Sequence, residues 1–241
     1  MNLQNKVVLI TGSGSGLGKS LALKVAAIGA QVVLVARTEN ELKQAKDEIE
    51  KKGGKAEYFV CDITDGNKVK QTATQILQKY NSIDILVNNA GIWTDEELEK
   101  NDPNLRRRAL EINVLGTIQF TYAFLPHFQE KNSGYIFNVI SSAGASDTPA
   151  GNNALWKTYG ASKWAMTGFT KSLRDALVGT KIKITAFHPG GFESMLYEKA
   201  KRKDAHNQPW MMKTDDVADV IIFALTRPEN MMMEKIIVTK I

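Results

Sequence analysis

The chain has 241 residues, 43% of them hydrophobic and 24% charged, which is the balance of a globular protein with ample length for a core. The formal charge of +5 is dispersed, with acidic residues interleaved among basic ones from Lys43 to Lys55, so a nucleic-acid surface is not indicated. No apolar run approaches a membrane span or signal core, and the single cysteine, Cys61, has no partner for an internal disulfide; a cytoplasmic protein with a buried, inert thiol is expected.

Short Val- and Ile-rich runs alternate with helix-length amphipathic ones. Strands are predicted at Lys6–Ile10, Gln31–Ala36, Ala56–Val60, Ile83–Val87, Tyr135–Ile140, Ile182–Phe187 and Lys235–Thr239. Several lack polar alternation, as strands buried on both faces do. Helices are predicted between them at 17–29, 39–52, 66–80, 104–131, 156–178 and 214–226. The order predicts a single doubly wound α/β domain over residues 1–241, with seven mainly parallel strands and helices on both faces.

After the first strand comes Thr11-Gly-Ser-Gly-Ser-Gly-Leu-Gly18, a T-G-x-x-x-G-x-G pattern on Thr11, Gly12, Gly16 and Gly18. Backbone amides at a helix start, unobstructed by side chains, form an anion site suited to a pyrophosphate. Ser13, Ser15 and Leu17 fill the remaining loop positions as candidate contacts. The ending Gly18-Lys19-Ser20 also resembles a P-loop, and Tyr58 to Asp62 a Walker-B strand, but Ser13 stands where that motif needs glycine. A nucleotide triphosphatase is therefore a weak alternative.

The second strand ends at Ala36-Arg37, with no carboxylate before Glu39. A guanidinium there suits a 2′-phosphate better than a bare ribose, so NADP(H) is expected over NAD(H), with Lys19 and Thr38 as lesser helpers. Asp62, followed by Ile63, ends the third strand in position to meet an adenine. Asn88-Asn89-Ala90-Gly91 ends the fourth, where small residues admit a flat cofactor close to the backbone. Asn113 falls inside a predicted helix despite the low helix propensity of its amide. Ser141 and Ser142 are rivals at the end of the fifth strand. Tyr159 and Lys163 lie four apart in a predicted helix, on one face. An ammonium beside a phenol eases deprotonation below the ordinary value of about 10, making an acid–base group for alcohol–carbonyl chemistry.

Two stretches break the rhythm. Ala145 to Leu155 is a Gly-, Asn- and Pro-rich loop, and Phe192 to Lys213 mixes apolar and charged residues after the sixth strand. Trp93, Leu155, Trp156, Phe192, Met195, Leu196 and Trp210 could line an apolar pocket. The second stretch is a candidate substrate lid.

The ordered set T-G-x-x-x-G-x-G, Asp62, N-N-A-G, Asn113, Ser141, Y-x-x-x-K and Pro189-Gly190 resembles the short-chain dehydrogenase/reductase family in its single-domain, Rossmann-type form. The similarity covers about residues 5–240. It implies that Tyr159 exchanges a proton with the substrate oxygen and that Lys163 assists it and holds the nicotinamide ribose. It further implies that Ser141 hydrogen-bonds the substrate oxygen and that Asn113 positions a water leading from Lys163 to solvent. Aligning Asn138 and Gly144 with the family pattern selects Ser141 over Ser142. Pro189, Gly190, Phe192 and Ser194 are implied at the nicotinamide end, Ser194 replacing the family's threonine. The 17 residues between Ser141 and Tyr159 exceed the usual family spacing. His188 has no implied role. A homodimer or homotetramer is expected, with the 104–131 and 156–178 helices and the Met231–Met233 region as interface surfaces. No metal, nucleic-acid or membrane partner is expected. A catalytically idle dinucleotide sensor or scaffold on the same fold is the alternative from another functional class. The implied substrate is a carbonyl or alcohol, for which a medium-sized hydrophobic ketone or a 3-oxoacyl thioester would suit the pocket.

Overall fold

The structure, a computed structural model, describes residues 1–94, 102–145, 157–199 and 208–241. Its elements follow in the order β1 (Val7–Thr11), α1 (Gly16–Ala27), β2 (Gln31–Ala36), α2 (Glu39–Lys51), β3 (Lys55–Val60), α3 (Gly66–Tyr80) and β4 (Ile85–Asn88). Then come α4 (Pro103–Leu110), a π-helical turn at Glu111–Gly116, α5 (Thr117–Lys131), β5 (Gly134–Val139) and a 3₁₀ turn at Ser142–Gly144. The chain closes with α6 (Lys157–Ala176), β6 (Ile182–Pro189), α7 (Met195–Lys199), α8 (Thr214–Leu225) and β7 (Lys235–Val238).

All seven strands join one sheet in the order β3-β2-β1-β4-β5-β6-β7, and every pair is parallel. The expected "mainly parallel" sheet is thus wholly parallel. Every residue of β1 is buried because both faces are covered. Val8 and Ile10 pack with Leu21 and Val25 of α1, Leu42 and Ile49 of α2, and Ile221 of α8. Val7 and Leu9 turn the other way, toward Ile76 of α3, Phe120, Phe124 and Phe128 of α5, and Leu173 of α6. That double burial is the reason the strands read as continuous apolar runs.

Among the described residues, aspartate side chains cap the starts of α3 and α4. Asp102 accepts from Asn104 N at 2.9 Å and Leu105 N at 3.3 Å, with Pro103 in the first turn of α4. Asp65 does the same for α3, accepting from Asn67 and Lys68 N at 3.1 Å.

Many element ends shift from expectation by a residue or two, and three differences change how the site is built. The predicted 104–131 helix is interrupted by the π turn around Asn113. The strand predicted from Ile83 begins at Ile85, because Ile83 N donates to His127 Nε2 and the Asp84 carboxylate accepts from Val7 N at 2.9 Å. The irregular stretch after β6 contains the short helix α7.

The chain runs outward from β1 to β3, then returns to place β4 beside β1 on the other side. Sheets of this kind bind ligands at the carboxyl ends of the strands flanking that reversal. The glycine loop after β1 and the Asn88–Gly91 segment after β4 both lie there.

Candidate active site

A cleft of about 870 Å³ opens at this edge. Its floor is made by two loops packed backbone against backbone. Gly12 has a φ of +65°, and a Cβ there would fall 2.9 Å from Ala90 Cα. Thr11 Oγ1 accepts from Asn89 N and Ala90 N, each at 3.0 Å, and Asn89 Nδ2 donates to Thr11 O at 3.0 Å and Gly12 O at 3.2 Å. Gly12, Gly14, Ser15, Gly16 and Leu17 line the cleft, where the start of the twelve-residue α1 supplies amides and a favourable dipole.

Two expected contacts of this loop serve it from behind. Ser13 is fully buried; its hydroxyl accepts from Val35 N at 2.8 Å, stapling the loop to β2. Gly18 lets α1 approach the loop, since a Cβ would lie 2.3 Å from Gly12 O. Lys19, the lysine a P-loop would aim at phosphates, instead pairs with Glu48 at 2.8 Å and does not line the cleft.

At one end of the cleft stand Arg37, Thr38, Asp62 and Ile63. The Arg37 guanidinium lies 3.9 Å from Asp62, with about half its side chain exposed. Burial pushes the Asp62 carboxyl up, but hydrogen bonds from Thr64 N and Oγ1, at 3.0 and 2.8 Å, outweigh it with help from Arg37 and Arg108. The net shift is downward, so Asp62 is ionised. Arg108 of α4 also lines this end and was not anticipated from the sequence. Cys61 forms part of the wall, and burial pushes its thiol up, which keeps it protonated and unreactive.

The other end gathers Asn89, Ala90, Gly91, Ser141, Ser142, Tyr159, Lys163, Pro189, Gly190, Phe192 and Ser194. Helix α6 carries Tyr159 and Lys163 one turn apart, both largely buried. Lys163 Nζ is 5.3 Å from the Tyr159 ring centroid, and burial lowers the ammonium to about 8. Gly91 closes the corner, where a Cβ would sit 3.2 Å from Asn113 Oδ1 and 3.6 Å from Lys163 Nζ.

Asn113 lies behind this corner rather than on the cleft surface. Its Oδ1 accepts from Ile92 N at 2.8 Å, and its Nδ2 donates to Ile92 O at 2.9 Å and Ser162 Oγ at 3.1 Å. Ser162 in turn donates to Tyr159 O at 2.6 Å. The π turn thus aims one amide at the loop after Gly91 and, through Ser162, at the backbone of Tyr159, and such turns are frequent at functional sites.

Both rival serines reach the cleft. Ser141 Oγ accepts from Ala143 N at 3.1 Å as the cap of the 3₁₀ turn. The Ser141 carbonyl accepts from Nδ1 of His188, a fully buried residue of β6, at 3.0 Å. His188 therefore fixes the backbone that presents Ser141.

The family profile described as short chain dehydrogenase matches residues 6–205. The chain belongs to the short-chain dehydrogenase family. It is 33% identical over 229 residues to the 3-oxoacyl-(acyl-carrier-protein) reductase FabG of Thermotoga maritima, spanning 92% of this chain and 91% of that protein. It is 32% identical over 228 residues to a fatty acyl-CoA reductase of Acinetobacter baylyi, covering 94% and 75%. Among solved structures, the closed form of serine dehydrogenase complexed with NADP+ superposes with a TM-score of 0.87 at 25% identity, covering 97% and 94%.

As a member of this family the protein is an oxidoreductase of the alcohol–carbonyl class that binds a nicotinamide dinucleotide. In this dehydrogenase the large apolar side chains of Trp93, Phe192, Met195, Leu196 and Trp210 are among those that line the cleft. Leu155 and Trp156, expected beside them, lie outside the described residues. Trp210 rests on Gly191, where a Cβ would fall 2.0 Å from the indole. Glu193 N donates to Met212 O at 2.9 Å and Met212 N to Gly191 O at 3.0 Å, so the two ends of this segment are tied together. Ser194 Oγ accepts from Leu196 N at 3.4 Å, at the start of α7. No described helix is long and apolar enough to cross a membrane.

Proposed function

We propose that this dehydrogenase interconverts a carbonyl and a secondary alcohol using NADP(H), with Tyr159 as general acid and base. The carrying observation is the convergence of Ser141, Tyr159 and Lys163 at one end of a cleft whose other end holds Arg37. The glycine cradle supports the fit, since a Cβ at Gly12 or Gly91 would crowd the loops that a dinucleotide must lie against. A bound nicotinamide supplies or accepts hydride at the substrate carbon.

In the reducing direction, Tyr159 donates its phenolic proton to the substrate oxygen. Ser141 donates a hydrogen bond to the same oxygen, where negative charge develops. Lys163, charged below about pH 8, stabilises the phenolate left behind. Asn113 and His188 act as positioning residues, one through Ile92 and Tyr159, the other through the Ser141 carbonyl. This apolar lining suits a hydrophobic ketone or a 3-oxoacyl thioester. Two relatives named for acyl-carrier-protein and acyl-CoA substrates favour the thioester.

The protein is a single domain over 1–241 that works as a homodimer or homotetramer, with a lid within 192–213, of which residues 200–207 lie outside the described ones. Exposed Leu115, Tyr122 and Trp164 along the π turn, α5 and α6, and Met231 near the carboxyl terminus, support self-association.

Arg37 carries the cofactor preference. Arg37→Ala is expected to narrow the NADPH/NADH affinity ratio roughly tenfold, the scale of one partly exposed charge-assisted contact. Fluorescence titration with both cofactors measures it, and an unchanged ratio would remove the guanidinium from this role.

A further inference from the structure

We propose that Lys199, on α7, is a cofactor-specificity residue that brings a second cation to the 2′-phosphate end of the cleft. The proposal rests on the reading of NADP(H) as the cofactor.

Lys199 is 184 residues from Ser15 in sequence, yet its Nζ donates to Ser15 Oγ at 2.9 Å. The same ammonium lies 3.2 and 3.3 Å from the two Glu41 carboxylate oxygens. Lys199, Ser15 and Glu41 line the cleft together with Arg37 and Thr38. One turn earlier on α7, Met195 packs over Gly16, whose Cβ position is 3.7 Å from Met195 N. Residues four apart share a helix face. The face carrying Met195 and Lys199 therefore rests on the glycine loop.

Glu41 makes the lysine necessary. Its stem is held against the loop, since a Cβ at Gly14 would fall 2.8 Å from Glu41 Cβ. A carboxylate in that wall repels a dianionic phosphate brought near Arg37. Lys199 neutralises it and adds a donor beside the Ser15 hydroxyl, turning an unfavourable wall into one that accepts the extra phosphate. NAD(H) lacks that phosphate and draws nothing from the arrangement.

The test is equilibrium titration of the purified protein with NADPH and NADH by fluorescence, on wild type, Lys199→Ala, Lys199→Arg, Arg37→Ala and the double variant Lys199→Ala/Glu41→Gln. Lys199→Ala is expected to weaken NADPH roughly fivefold, as suits a half-exposed charge, with NADH nearly unchanged. Lys199→Arg restores most of the loss. Adding Glu41→Gln to Lys199→Ala recovers part of it, which a merely structural role for Lys199 would not produce. Equal weakening of both cofactors, or of neither, while Arg37→Ala still narrows the ratio, overturns the role of Lys199 and leaves the NADP(H) reading standing. A wild-type protein that binds NADH as tightly as NADPH overturns both.

Discussion

Tyr159→Phe is expected to lower the turnover number for carbonyl reduction by roughly 10²–10⁴-fold, the usual worth of a positioned general acid. The substitution removes one hydroxyl and keeps the ring that packs 5.3 Å from Lys163 Nζ. Packing, helix α6 and the cofactor end of the cleft therefore stay in place. NADPH affinity and the melting temperature should change little, and kcat should carry the loss, as when an interaction made only in the transition state is removed. Steady-state rates, a cofactor titration and a thermal melt separate these effects. Undiminished turnover would take the proton-transfer role away from Tyr159.

Lys163→Met is expected to abolish turnover and yet stabilise the free protein at neutral pH. The Lys163 ammonium is buried, and burial lowers it to about 8 from an ordinary value of 10.5. Below about pH 8 the group is charged in both folded and unfolded chains, and the fold carries the whole desolvation cost. Between about 8 and the ordinary lysine value the folded state releases its proton first. The unfolded chain then binds more protons, so the stability contributed by this group rises with pH across that window. Replacing the ammonium with a thioether of similar length should raise the unfolding free energy at neutral pH by about 1–3 kcal/mol. The gain should shrink toward about pH 10 as the wild type sheds its penalty. Denaturant unfolding at the two pH values measures it. A Lys163→Met variant no more stable than wild type at neutral pH would show that the charge is compensated within the fold. Such a stability–activity trade-off is common where a site holds a strained group.

The architecture was legible because the strands are buried on both faces, which turns each into a short unbroken run of Val, Ile and Leu. Helix ends were legible where a residue such as Asp65 caps them. The π turn was not, since one extra residue inside 104–131 leaves the apolar periodicity on either side almost intact. Helix α7 is too short for periodicity to register.

At the site, the motifs marked which loops matter but not which way their side chains face. Ser13 and Ser15 are alternate residues of one loop; the first staples the loop from behind and the second faces the cleft. Arg108 is the last of three consecutive arginines, and only the fold reveals that it lines the cleft. His188 carries no signal in the sequence because its partner is a backbone carbonyl. In sequence, Lys199 opens a basic run to Lys203 that reads as solvated charge. Its contact with Ser15 spans nearly the whole chain, beyond any local pattern.

Proton transfer by Tyr159 in an NADPH-linked reduction is tested most directly by the decay of reduced-nicotinamide absorbance when wild-type protein is mixed with NADPH and a panel of hydrophobic ketones and 3-oxoacyl thioesters, with Tyr159→Phe run in parallel. NADPH is expected to be consumed with at least one carbonyl, more efficiently than NADH, while the variant binds NADPH but consumes it at least about a hundredfold more slowly. Consumption by the variant at the wild-type rate, or a wild-type protein that binds neither cofactor, would contradict this expectation.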